Sequence, residues 1–240
     1  MFSKYFEKLE KNLIKKAQAS QKNTTNTKTA NKSKKTSTIK VNELMQSINK
    51  IVPSHLTIDS SKFIDISGYS PIGVDYIVYK PYFRDIANLI GGYIPSELVY
   101  GTYHISTNLN STSLQDILKK VTNAKKINRY TEEETNAPLI PAFVIAYKTS
   151  FSIQELKNEI LNQNTTLGID HTSEIDIIAI FNKGIIIKDW KEKRSYIALE
   201  TKKDTMMWFF ILMNEYLDVN KDVELDLRKY VKSKENYAEY

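Results

Sequence analysis

The 240-residue chain has no cysteine. Disulfides, thiolate metal sites and a cysteine nucleophile are therefore excluded. Histidine is nearly as scarce, and His55, His104 and His171 are too scattered for spacing alone to point to a metal site. None of the seven glycines lies in a phosphate-binding loop, and no serine sits in a nucleophile-elbow pattern. Arginine, the usual residue for two-pronged phosphate and guanine contacts, is confined to Arg84, Arg129, Arg194 and Arg228. The N-terminus, Met1-Phe2-Ser3-Lys4-Tyr5, lacks the apolar stretch of a secretory signal. The longest apolar run, Met206 to Met213, falls far short of the ~18 residues a membrane span needs. The sequence thus predicts no membrane span, and a location in the cytoplasm or in a particle assembled there.

What is present is unevenly distributed. The formal net charge is +6, but residues 1–40 hold eleven lysines against Glu7 and Glu10, so the remaining 200 residues are slightly acidic. Any bulk attraction to nucleic acid belongs to the N-terminal arm. Residues 1–17 read as an amphipathic helix, with Phe2, Phe6, Leu9 and Leu13 at helical spacing. This stripe predicts docking on a protein partner or on a second copy of the chain, with packing on the chain's own domain as the alternative. Residues 18–40 carry no acid, no aromatic and nothing large and apolar before Ile39, which predicts a flexible basic linker. Lys28, Lys32, Lys34, Lys35 and Lys40 are its candidate contacts to nucleic acid or to an acidic partner.

The compact α/β domain is expected over 41–218, with a charged tail over 219–240. Leu44, Ile48, Ile51 and Val52 give a short helix stopped by Pro53. Strand patterns follow at Phe63–Ile66, Val74–Tyr79 and Leu98–Ser106. A helix opens at the overlapping capping signatures Thr112-x-x-Gln115 and Ser113-x-x-Asp116, and Ala142–Tyr147 is the next strand. The order is α-β-β-β-α-β. A second layer comprises a helix capped by Ser152-x-x-Glu155, a hairpin turning at Asn182-Lys183-Gly184, a strand at Tyr196–Leu199, and the apolar helix Thr205–Leu217 capped by Asp204.

This order and several short motifs resemble the PD-(D/E)XK, or restriction-endonuclease-like, superfamily, and within it a bacterial nuclease-like family of unknown function. The matching pieces are Gly73-Val74-Asp75-Tyr76-Ile77-Val78-Tyr79, Glu97-Leu98-Val99, Ser113-Leu114, Ala124-Lys125-Lys126-Ile127 and Phe143-Val144-Ile145-Ala146-Tyr147-Lys148-Thr149-Ser150. The resemblance implies an Asp and a Glu on adjacent strands that hold Mg²⁺, with a nearby lysine that helps activate water against a phosphodiester. Carried over by position, Asp75 matches the metal-binding Asp. His104 stands in place of Glu, and Ser106 in place of Lys. Histidine is a poor Mg²⁺ ligand and adds no negative charge, and serine supplies neither a cation nor an acid–base group. Glu97 is a substitute carboxylate nearer the strand's start.

A rival constellation lies downstream. Asp176 sits in a hydrophobic-Asp-hydrophobic pattern, followed a hairpin later by Glu200-Thr201-Lys202. Alternation along a strand would put Glu200 and Lys202 on one face. Three readings follow. The first is a nuclease-like domain that has lost catalysis, needs no cofactor, and serves nucleic-acid or protein binding and assembly. The second is a Mg²⁺-dependent endonuclease built on Asp75 with Glu97, or on Asp176 with Glu200 and Lys202. The third is a structural component of a larger particle, anchored by its N-terminal arm.

Overall fold

The computed structural model describes residues 2–22, 43–81, 84–89, 91–129 and 139–219. The basic stretch with Lys28, Lys32, Lys34, Lys35 and Lys40, and the tail beyond 219, lie outside the described residues.

Strands rich in β-branched residues assemble a seven-stranded sheet. Its members are β1 (Thr57–Asp59), β3 (Tyr76–Tyr79), β5 (Val99–Ser106), β6 (Ala142–Ala146), β7 (Ile177–Ile180), β8 (Gly184–Lys188) and β9 (Tyr196–Leu199), paired in that order. The middle strands β5, β6 and β7 run parallel, and the outer pairings are antiparallel. Every residue of β6 and β7 is buried, as expected of parallel strands covered on both faces. Helices α4 (Ser111–Ala124) and α5 (Ile153–Thr166) cover one face, where Leu114, Leu118, Val121, Leu156 and Ile160 pack with Val144, Ile178 and Ile186. Helices α1 (Phe2–Lys22), α2 (43–49) and α6 (Thr205–Val219) cover the other, against Phe143, Ile145, Ile177 and Ala179. The alternation of these two sets along β6 and β7 is the period-two pattern of a strand. A Cβ at Gly101 would lie 2.8 Å from the Phe143 ring, so only glycine lets β5 and β6 meet here without displacing that ring.

The α-β-β-β-α-β expectation holds in outline, with two changes in strand assignment. The segment expected as the first core strand forms β2 (Lys62–Ile64), which pairs in parallel with β4 (Tyr93–Pro95) in a separate two-stranded sheet. The first strand of the main sheet is instead Thr57–Asp59, too short to show an alternation. A short helix α3 (Arg84–Leu89) precedes β4. The cap of α4 also moves: Asn110 accepts from the Ser113 N–H while the Ser113 hydroxyl accepts from the Asn110 N–H. The Ser152–Glu155 capping box of α5 forms as expected, and Asn182 (φ 52) turns the β7–β8 hairpin.

α1 runs to Lys22 rather than ending at 17, and Phe6, Leu9 and Leu13 of its apolar stripe pack within the same chain. Phe6 and Leu13 are buried in the chain's own core with Met206, Phe209 and Met213, Leu9 packs against that cluster, and Phe6 stacks on Phe210 at 5.0 Å. The side chain of Phe2 lies outside the described set. The physical reason lies in Glu10, on the same helix and only 2% exposed. Its carboxylate accepts from the Asn182 N–H at the hairpin turn and from the Met206 N–H, 3.2 Å away, in the first turn of α6. A carboxylate from α1 thus satisfies an otherwise orphaned donor at the start of α6 and complements its dipole. Asp204, the expected cap, instead accepts from the Ser3 hydroxyl at 2.7 Å, a second tie between α1 and the start of α6.

Candidate active site

Tyr103 and Ile105 of β5 point into the α1/α6 layer, so His104 and Ser106 face the α4/α5 side. The β3–β5 register pairs Tyr76 with Tyr103, and the Asp75 N–H donates to the Tyr103 carbonyl at 3.2 Å. This carries Asp75 alongside His104. The Asp75 carboxylate continues the ladder where the backbone leaves it, accepting from the Ile105 N–H at 2.9 Å.

A fourth residue joins from above. Gly73 is in a left-handed conformation (φ 88), and a Cβ there would lie 3.0–3.2 Å from the Cγ, Cδ and Cε atoms of Lys120. Glycine therefore lets the Lys120 stem cross from α4 to the start of β3. Its ammonium acts on both Asp75 and His104. Burial raises the Asp75 pKa, against the opposing pull of the Ile105 N–H and Lys120. Burial, helped by Lys120, pushes His104 down to about 3, so its imidazole is neutral at physiological pH. Both His104 ring nitrogens are buried with no hydrogen-bond partner among the described residues. Orphaned groups of this kind cost about 1–3 kcal/mol each.

The donor set is thus one carboxylate, one neutral imidazole and one hydroxyl, beside an ammonium. Mg²⁺ prefers hard oxygen ligands, usually one or two carboxylates with waters and substrate phosphates, and a buried imidazole supplies neither an oxygen nor a negative charge. These residues do not fit it well. Among the described residues no group of three or more His, Cys, Asp or Glu side chains is arranged to hold a metal ion.

The other sequence candidates fall elsewhere. Glu97 is buried in a short 3-10 turn (Ser96–Leu98) at the opposite end of β5, about 20 Å along the chain from His104. It does not join Asp75. The rival set is also separated. Asp176 lies beside Lys188, whose N–H donates to its carbonyl, at the end of the β8–β9 hairpin where Lys188 pairs with Tyr196. Glu200 and Lys202 follow Leu199 at the other end, on the order of 10 Å away. Lys202 is exposed in a turn with φ 48.

Asp176 belongs instead to a buried ionic cluster. Its carboxylate accepts from Lys125 Nζ at 2.6 Å and from the Ala142 N–H at 2.7 Å. Glu174 accepts from Asn164 at 3.2 Å and faces His171 at 3.1 Å. Lys188 Nζ lies 3.9 Å from Glu174, donates to the His171 carbonyl, and sits 3.7 Å from the centre of the Trp190 ring. Burial, reinforced by Lys125, pushes Lys188 down to about 8 against the pull of Asp176 and Glu174.

Motif position in the sequence names Asp75, His104 and Ser106 as candidates and does not name Lys120. The available signal was its position on the flank of the apolar stripe Ile117–Val121, one residue beyond Lys119.

No protein-family model and no curated protein matches the chain. Its structure is similar to that of Pseudomonas aeruginosa ATCC27853 NucC in its cAAA-bound form, with a TM-score of 0.74 and 14% identity over 96% of each chain. It is also similar to Escherichia coli MS115-1 NucC. The cAAA-bound form gives a TM-score of 0.72 at 13% identity over 96% of each chain. The apo form gives 0.68 at 13% over 96% of this chain and 97% of the other. The fold is restriction-endonuclease-like.

Proposed function

We propose that this chain is a nuclease-fold protein that no longer cleaves phosphodiesters and acts through binding and assembly. One observation carries the reading: His104, buried and neutral, occupies the β5 position alongside Asp75 where a second metal-binding carboxylate would stand. Without it the site lacks the charge to hold a divalent ion against a phosphate, and Ser106 supplies no cation to stabilise the transition state. In this reading Lys28, Lys32, Lys34, Lys35 and Lys40 form a salt-sensitive, sequence-independent contact with nucleic acid. Because α1 is part of the core, the test of that contact replaces these lysines with glutamine and leaves residues 2–22 intact. Loss of binding with a reduced salt slope supports it, and unchanged binding removes it.

The competing reading is a metal-dependent endonuclease, favoured by Asp75 in its expected place and by Lys120 as a lysine delivered from α4 rather than from β5. A cleavage assay separates the two. The purified protein is incubated with DNA and RNA in Mg²⁺ or Mn²⁺, with and without cAAA, the molecule bound in the similar NucC structures. The proposal expects no cleavage in any condition. Cleavage that disappears in both Asp75→Ala and Lys120→Ala supports the endonuclease.

A further inference from the structure

A cavity of about 340 Å³ opens between α1, the β7–β8 turn and the 3-10 turn before α6, on the face of the sheet opposite His104. Glu10, Lys11, Ile14 and Lys15 line it from α1, Asn182 from the β7–β8 turn and Lys203 from the 3-10 turn. Its walls are largely hydrocarbon, as Ile14 and long lysine stems provide. The volume is enough for a small ligand.

Charge is concentrated at its rim and its floor. Lys11 pairs with Glu7 at 2.6 Å, but the exposed ammonium groups of Lys15 and Lys203 have no hydrogen-bond or ion-pair partner among the described residues. Glu10 forms the floor. Its two carboxyl oxygens each accept a backbone N–H, from Asn182 and from Met206. A proton on Glu10 is therefore not needed by its backbone partners and is free to be donated into the cavity. The charged groups around Glu10 are Lys11, Lys15 and Lys203 on one side of the balance and Glu7 and Asp204 on the other. With Glu10 neutral, one ammonium group is left uncompensated; ionised Glu10 cancels it.

We propose that this cavity binds an amphipathic monocarboxylate, its apolar body against Ile14 and its carboxylate at the lysine rim and the Glu10 carboxyl. A single negative charge matches the one uncompensated ammonium group. A doubly charged phosphate monoester exceeds it, and an amine would meet the lysines with like charge. Burial lifts the Glu10 pKa to about 7, so its neutral, hydrogen-donating form is populated at physiological pH. A bound carboxylate accepts that hydrogen and repels the ionised form, which couples occupancy of the cavity to proton uptake by Glu10. Among the lining residues none is histidine.

Octanoate is the probe, titrated into the full-length chain by isothermal calorimetry, with octanol and octylammonium as controls of equal tail length. Octanoate is expected to saturate a single site per chain, with both controls weaker by about tenfold or more. Exchanging the exposed pair together, Lys15→Gln with Lys203→Gln, is expected to weaken octanoate by about tenfold and to leave Tm unchanged. Octanoate affinity is expected to fall by about tenfold from pH 6 to pH 8 as Glu10 ionises, and Glu10→Gln is expected to remove that dependence. The proposal is overturned by the absence of saturable octanoate binding, by octanol that binds as tightly, by a lysine exchange without effect, or by a wild-type affinity that is constant between pH 6 and pH 8. If Glu10→Gln does not fold, the lysine exchange and the wild-type pH profile decide the matter.

Discussion

Two clusters of ionisable side chains sit on the same sheet and are built on opposite terms. At the carboxyl-terminal end of β5, Asp75 and His104 lie under Lys120, and both nitrogens of the buried imidazole have no hydrogen-bond partner among the described residues. At the amino-terminal end of β7, Lys125, Asp176, Glu174 and Lys188 are also buried, but their ammonium groups sit against carboxylates, a carbonyl or the Trp190 ring. The downstream cluster resembles catalytic chemistry in sequence and forms a buried ion network. The upstream cluster carries His104 and Ser106 where the resemblance expects Glu and Lys. Both clusters hold buried polar atoms without a hydrogen-bond partner among the described residues, Asp176 Oδ1 and Asn164 Oδ1 downstream and the His104 nitrogens upstream; what distinguishes the downstream cluster is the direct contact of its ammonium groups with carboxylates.

The largest expected effect comes from breaking the ion-paired cluster. Asp176→Ala leaves the Lys125 ammonium buried without its partner and should destabilise the fold by about 3–5 kcal/mol. Urea unfolding measures this, and a loss near zero would mean that water reaches the cluster freely.

The next effect belongs to His104. Its pKa is about 3 in the folded state against an ordinary 6.5, so below pH 6.5 the unfolded chain binds the extra proton. Stability that is complete above pH 6.5 is therefore lost as the pH falls toward 3. His104→Leu removes the orphaned nitrogens and this acid sensitivity together. It should be neutral or stabilising by about 1–2 kcal/mol at pH 7 and more so at pH 5. A clear loss of stability at both pH values would show that the imidazole has a structural partner.

The smallest effect is at Glu10, where the sign is opposite. Burial raises its pKa to about 7, against the hydrogen bonds from Asn182 and Met206 that favour the carboxylate. Its contribution is complete below pH 4.5 and is lost as the pH rises through 7. Glu10→Gln should flatten the dependence of Tm on pH between 4.5 and 7. An unchanged slope would place the titration elsewhere.

The fold was readable where local signals were strong. The unbroken apolar runs of β6 and β7, the Ser152–Glu155 box and the Asn182-Lys183-Gly184 turn all form at their expected places. β1 was not readable, because three residues carry no period. The packing of α1 was open because its stripe fits a partner chain and its own core equally well. Glu10, which decides between them, looks like one more surface glutamate until the Asn182 turn and the start of α6 converge on it. Motif position gave Asp75, His104 and Ser106. Lys120 reaches them only through the helix-to-strand approach at Gly73, and the separation of Asp176 from Glu200 depends on hairpin register.

The central claim is that the Asp75–His104 pair cannot hold a catalytic divalent ion. Mn²⁺ titration of the wild-type chain and of Asp75→Ala, followed by isothermal calorimetry, tests it most directly. The account predicts the same weak, non-saturating signal from both proteins. Saturable wild-type binding that disappears in Asp75→Ala would contradict it.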